Sequence, residues 1–151
     1  MSESTWKEGV IRTAADETIA APFMRLDDLL KTRAGSAASV FRRPPDHTTV
    51  GLGPVRIGRY QCYLSEYFVR GRLEEVRLQV DERDVFGTVA TDSDSVKAVV
   101  SALRSWLLDE TGKESPASYS WGSIAAIFDN KGGLSLHRIR VRTEWTVLVS
   151  T

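Results

Sequence analysis

The chain has 151 residues, 42% of them hydrophobic and 26% charged, which is enough for one folded α+β domain over residues 1–151 and excludes disorder as the default. Its 20 lysines and arginines balance 20 aspartates and glutamates, so the basic excess of a protein that lives on nucleic acid is missing. No run approaches the roughly 20 apolar residues of a membrane-spanning helix.

The first 15 residues carry little pattern beyond three candidate anchors, Trp6, Val10 and Ile11, and are expected to be weakly ordered. Pro22 stands where a helix would start. Phe23, Leu26, Leu29 and Leu30 follow at helical spacing, with Asp27 and Asp28 on the opposite side and Gly35 as the stop. Residues 35–53 contain Ser36, Ser39, Pro44, Pro45 and Gly51, and predict a long loop with a short apolar contact at Val40 and Phe41.

From Val55 the period changes to two. Tyr60, Cys62, Leu64 and Phe68 alternate with Gln61, Tyr63, Ser65 and Tyr67; after Gly71, Val76, Leu78 and Val80 alternate in turn. A three-residue loop, Val69-Arg70-Gly71, would pair Leu64 with Val76, Cys62 with Leu78 and Tyr60 with Val80, keeping one face apolar. Asp92, Ser93, Asp94 and Ser95 cap a second helix with a stripe of Val96, Val99, Val100, Leu103 and Leu107, which Gly112 and Pro116 end. A second hairpin is predicted from Tyr119, turning through residues 129–133 into one long final strand. A β-bulge near His137 and Arg138 would bring Leu134 and Leu136 into phase with Ile139, Val141, Trp145, Val147 and Val149. The expected architecture is an antiparallel sheet of four to five strands, made of two hairpins, with two helices packed on one face.

Little in this pattern points to catalysis. Only two histidines occur, His47 and His137, and no nucleophile elbow, phosphate loop or dinucleotide fingerprint is present. Cys62 falls on the apolar phase of its strand, where a cysteine behaves as a small hydrophobe rather than a nucleophile. Asp92 with Asp94 suits helix capping, and Asp81, Glu82 and Asp84 sit at a strand end, so neither group implies a metal. No catalytic residue, cofactor or metal is expected. A single cysteine excludes an internal disulfide framework and, with no apolar leader among the first eleven residues, makes the cytoplasm the expected compartment.

The pattern carries more about binding. Arginine outnumbers lysine 15 to 5, and residues 36–80 carry seven basic against four acidic side chains. Arg138, Arg140 and Arg142 alternate along the final strand, and the expected pairing sets Trp121 opposite Arg142 and Ser123 opposite Arg140. On the first hairpin Tyr63 and Tyr67 share the outward phase with Arg77. These seven residues, Tyr63, Tyr67, Arg77, Trp121, Arg138, Arg140 and Arg142, form the candidate partner-binding face, because Trp, Tyr and Arg dominate interface hot spots. The expected partner is another protein; stacking aromatics beside arginines also suit single-stranded nucleic acid, which the zero net charge argues against.

The stretch from Arg59-Tyr60 to Phe68, the run Gly71-Arg72-Leu73-Glu74-Glu75-Val76 and the later Tyr119-Ser120-Trp121 resemble the hairpin signature of small bacterial partner-binding domains. Among these are immunity proteins that neutralise a toxin by binding it, and the order of elements over roughly residues 20–149 is also similar to type III secretion chaperones. The resemblance implies a non-enzymatic binder, foremost a toxin immunity protein, with a secretion chaperone or adaptor as the alternative. A small enzyme with a non-obvious site is the alternative from outside the binding class.

Overall fold

Alternation of apolar and polar residues governs the middle of the chain. In the computed structural model, which describes residues 6–80, 101, 102, 104–106, 108–113, 117–126, 136–141 and 145–150, it produces long antiparallel strands. A 3-10 turn at Trp6–Glu8 precedes two short strands, β1 (Ile11–Arg12) and β2 (Thr18–Ala20), which pair as a small antiparallel sheet. Two short helices follow, α1 (Leu26–Leu30) and α2 (Arg33–Ser36). Next come β3 (Ser39–Arg43), β4 (His47–Ile57), β5 (Tyr60–Val69) and β6 (Arg72–Val80). A third helix, α3, carries the described residues between 101 and 111. The chain then runs through β7 (Ala117–Tyr119), β8 (Gly122–Ala126), β9 (Leu136–Val141) and β10 (Trp145–Ser150).

Eight of these strands form one sheet in the order β3-β4-β5-β6-β9-β10-β8-β7. Neighbours run antiparallel except β8 and β10, which are parallel. The α+β class and the antiparallel sheet follow the sequence pattern, while the sheet is wider than the four to five strands expected.

One reason for the extra width is the stretch over 35–53. It is not a loop: β3 and β4 form a hairpin, with Val40 opposite Val50 and Arg43 opposite His47. Val50 and Leu52 are buried while Thr49 and Gly51 lie on the half-exposed side, so a period of two was present under the glycines and prolines. Pro44 and Pro45 sit in the turn between the strands, where no ladder N–H is required, and Gly53 and Pro54 fall where the β4–β5 register shifts.

The expected helix over 22–35 is broken in two. Thr32 is extended, with φ −71° and ψ 162°, and its hydroxyl caps α2 by accepting from the Gly35 amide at 2.9 Å. The same hydroxyl donates to the Leu29 carbonyl at 2.7 Å, tying the two pieces together. Gly35 therefore does not stop the helix. It lies inside α2, where an added Cβ would fall 1.8 Å from the Leu29 carbonyl oxygen, so its role is to let two backbone segments touch.

The first predicted hairpin exists as β5–β6, with a different register. Its turn has two residues, Arg70 and Gly71, at φ 53° and 74°, and Val69 pairs with Arg72. A bulge follows at Glu74, because Phe68 faces Leu73 and Tyr67 faces Glu75. Leu64 accordingly meets Leu78 rather than Val76, and Cys62 meets Val80 rather than Leu78. The bulge supplies the phase correction expected of a third loop residue. No atom stands within 4 Å of a Cβ added at Gly71, so the cost of a side chain there is purely conformational. Gly71→Val should lower stability by more than ~1 kcal/mol in a urea titration, whereas Gly71→Asn, which tolerates positive φ, should retain most of it. An unchanged midpoint for the valine variant would contradict the left-handed turn.

The long final strand is two strands. β9 and β10 pair antiparallel from Trp145 opposite Val141 to Ser150 opposite Leu136, with an unbroken register through His137 and Arg138. The change of phase between Leu136 and Ile139 falls inside β9, where the pairing runs on without a shift, so the expected bulge is not there. Of the predicted second helix, the cap from Asp92 to Ser95 and the whole stripe, Val96, Val99, Val100, Leu103 and Leu107, lie outside the described residues.

One apolar cluster joins the inward side chains of β4, β5 and β6 to the N-terminal segment and the helices. Leu52, Leu64, Phe68, Leu73, Val76 and Leu78 enter it from the sheet, and Trp6, Ile11, Ile19, Leu29 and Trp106 from the other side. Cys62 is fully buried in the same cluster, its Sγ 3.6 Å from the Tyr60 carbonyl oxygen, in the structural place its strand phase predicts.

Candidate functional site

Three of the seven predicted residues, Tyr63, Tyr67 and Arg77, lie on the opposite, outward side of β3–β6. Directly opposed residues in antiparallel strands share a face, so the register defines rows of side chains across the sheet. One row runs Phe41, Thr49, Tyr67 and Glu75 across β3 to β6, and Arg140 of β9 is the next register position. The adjacent row sets Ser65 beside Arg77, with Arg138 as the next position, and beyond it Tyr63 stands beside Gln79. The Arg77 guanidinium lies 5.2 Å from the Tyr67 ring centroid, and its Nε is 3.4 Å from Glu75 Oε1. A cation stacked on a phenol at an exposed site contributes about 0.5–1 kcal/mol, which biases both side chains toward this arrangement. Tyr63 is 42% exposed and Phe41 69%, large apolar surfaces to leave in water.

Tyr63, Tyr67 and Arg77 are thus brought together, with Arg138 and Arg140 on the neighbouring strand; Arg142 lies outside the described residues.

Trp121 belongs elsewhere. β8 takes β7 and β10 as its main partners and touches β9 only at Ala125 opposite Arg138, so the expected pairing of Trp121 with Arg142 and of Ser123 with Arg140 does not form. Trp121 occupies the turn between β7 and β8, half-buried, with its ring stacked on Tyr119 at 5.1 Å and 3°. Its indole N–H donates to the Lys7 carbonyl. An indole beside the last hairpin looked like a surface anchor, and it instead clamps the N-terminal segment.

Two features escaped the sequence pattern. Glu66 stands in the inward phase of β5, between Leu64 and Phe68 along the strand and between Val50 and Val76 across it. It has no exposed surface, and neither carboxylate oxygen has a hydrogen-bond partner among the described residues. Burial pushes its carboxyl well above the usual carboxylate range. The signal was available, since a glutamate on an apolar phase is out of place.

The second feature is the tip of the sheet, where the β3–β4 turn and the β5–β6 turn come together. The Arg70 amide donates to the Asp46 carbonyl at 2.8 Å, and the Asp46 carboxylate is 3.3 Å from Arg70 Nε and 3.5 Å from His47 Nε2. Alongside lies a cleft of about 400 Å³ whose lining includes Arg42, Arg43, Asp46, His47 and Arg70. The run Arg42-Arg43-Pro44-Pro45 was visible in the sequence; reading it as loop hid that Arg70 joins it.

Among the described residues no helix is long and apolar enough to cross a membrane. No protein-family model matches the sequence, and no curated protein matches it. A chain of the solved complex "Rhs1-CT in complex with cognate immunity protein RhsI1" has a similar fold, with a TM-score of 0.56 over 95% of this chain and 88% of that chain. The two sequences are 16% identical, so the likeness is one of fold. The element-order resemblance to immunity proteins thus has a counterpart in a solved immunity-protein complex.

Proposed function

We propose that this chain is an immunity-type protein that binds one cognate toxin and blocks it without catalysing a reaction. The observation that carries the reading is the fold likeness, across 95% of the chain, to a chain of the complex between Rhs1-CT and its cognate immunity protein. The outward face of β4–β6 supports it. Its tyrosines and arginines ride on paired strands, so little conformational freedom remains to be lost on binding. Tyr67 and Arg77 form its centre and Tyr63 one flank, with β9, the strand that carries Arg138 and Arg140, beside them on the other. Trp121 serves the fold. Inhibition is steric: the preformed face covers the toxin's working surface, in the cytoplasm of the bacterium that makes both proteins.

The test is co-expression with the toxin domain encoded beside this chain's gene. Growth should be restored and the two proteins should co-purify. Tyr67→Ala and Arg77→Ala should each weaken the isolated complex by about tenfold or more while changing stability by only about 0.5 kcal/mol. Normal binding by both variants would remove this face from the reading, and growth arrest despite full-level expression of the chain would remove the reading itself.

A further inference from the structure

The cleft at the sheet tip is built from two strands and two turns, and its charges are unbalanced. Three of its lining residues, Arg42, Arg43 and Arg70, are cations, against one carboxylate, Asp46. Asp46 is engaged by His47 and Arg70, and its side chain is only 29% exposed. Arg42 and Arg43 have no ion-pair partner among the described residues and are both exposed. They sit at the end of β3, the outermost strand on that side of the sheet, so nothing in the sheet covers them. Phe41, adjoining in the chain, and Phe23, whose carbonyl accepts from Arg72 at 3.3 Å, expose phenyl rings at 69% and 53%.

We propose that this cleft receives an acidic segment of a protein partner, its carboxylates held by Arg42 and Arg43 and its apolar neighbours by Phe41. Guanidinium forks match carboxylates in a bidentate, planar geometry, and the turn-to-turn contact of Arg70 with Asp46 fixes the walls before the segment arrives. A protein segment fits better than a nucleic acid. A phosphate backbone needs a continuous basic track, and the row leading away from the tip region passes through Thr49 and Tyr67 to Glu75, an acid. A cleft of about 400 Å³ lies near the lower end of the range for small-molecule sites, which suits a few side chains rather than a folded surface. As a contact for a toxin, the cleft rests on the function proposed above; as a site for acidic peptide, it is testable without one.

The experiment uses the full chain and fluorescein-labelled hexaglutamate, with a thymidylate hexamer of similar charge as the competing arm, read by anisotropy. Hexaglutamate should bind better than the oligonucleotide, and its binding should weaken as salt rises from ~50 to ~200 mM. The double variant Arg42→Gln/Arg43→Gln should lose about tenfold or more in affinity with an unchanged melting temperature. Lys31→Gln/Arg33→Gln, which removes the same charge from the helices, should lose little. Equal binding by the first double variant, or tighter binding of the oligonucleotide, overturns the proposal. Growth rescue retained in full by Arg42→Gln/Arg43→Gln overturns the cleft's role in toxin binding alone. Failure of the wild-type chain to rescue growth, with hexaglutamate binding still lost in that variant, overturns the toxin reading and leaves the acidic-segment site standing.

Discussion

Truncating Trp106 to alanine is expected to cost about 3–5 kcal/mol, the largest loss from any single change in the described core. The indole is 1% exposed and makes two edge-to-face contacts, with Trp6 at 5.4 Å and 79° and with Tyr60 at 5.0 Å and 78°. Its N–H donates to Glu110 Oε1 at 3.2 Å, so the one polar atom of the ring is satisfied within its own helix. Each aromatic pair adds about 0.5–1.5 kcal/mol beyond the area it buries, and the cavity left by alanine would separate α3 from both neighbours. In a thermal melt the variant should fall by roughly 6–20 °C. Trp106→Phe, which keeps a ring but loses the N–H, should fall by clearly less. Trp6→Ala combined with Trp106→Ala should cost less than the sum of the two, since both remove the same contact. Additive losses would mean that the two indoles do not share one cluster.

Replacing Glu66 with methionine is expected to do the opposite and stabilise the fold, by about 1–3 kcal/mol at neutral pH. A buried polar group without a partner is desolvated for no return, and an unbranched thioether fills a similar space. The pH dependence follows from the direction of the shift. The unfolded carboxyl ionises near ~4.3, the folded one only at higher pH, because burial disfavours the charge. Below both values the folded and unfolded chains hold the same proton. As pH rises from the unfolded value through the folded one, the unfolded chain releases its proton first, so the wild type loses stability over that window. The gap between Glu66→Met and wild type should therefore widen from pH 4 to pH 7 in paired urea titrations, a difference in which the other carboxylates largely cancel. A destabilised methionine variant would mean that the carboxylate has a partner.

How far the fold was legible depended on whether local chemistry and tertiary packing agreed. In β5 and β6 they did: Cys62, Leu64 and Phe68, then Val76, Leu78 and Val80, alternate, and all of them are buried. Leu73, on the outward phase in sequence, is turned inward by the bulge. In β3 and β4 they did not. Pro44, Pro45, Gly51, Gly53 and Pro54 spell a loop locally, and only the pairing of Val50 with Glu66 and Leu52 with Leu64 reveals a strand. The register of β5–β6 was beyond local reading because a bulge at Glu74 and a two-residue turn leave the same apolar face as a three-residue loop. The candidate face was legible where it rests on a single hairpin, as with Tyr63, Tyr67 and Arg77. It failed at Trp121, where strand order decides the neighbours: β6 and β10 flank β9, and β8 is displaced beyond β10.

The clamp on the N-terminal segment bears on the order in which the protein is made. Trp6 packs against Trp106, and the Lys7 carbonyl accepts from Trp121, a partner 114 residues further along the chain. During translation the first anchor thus leaves the ribosome long before either indole that will cover it. At 5–20 residues per second the wait for the second of them is roughly 6–23 s. Through that interval Trp6 and Ile11, both buried at the end, have no finished core to enter. The nascent chain can close the β3–β6 meander early, since each of its strands pairs with the one synthesised just before it. The apolar side chains of the amino-terminal segment therefore stay uncovered until residue 121 has emerged, and this segment is the last part of the described core to be sealed.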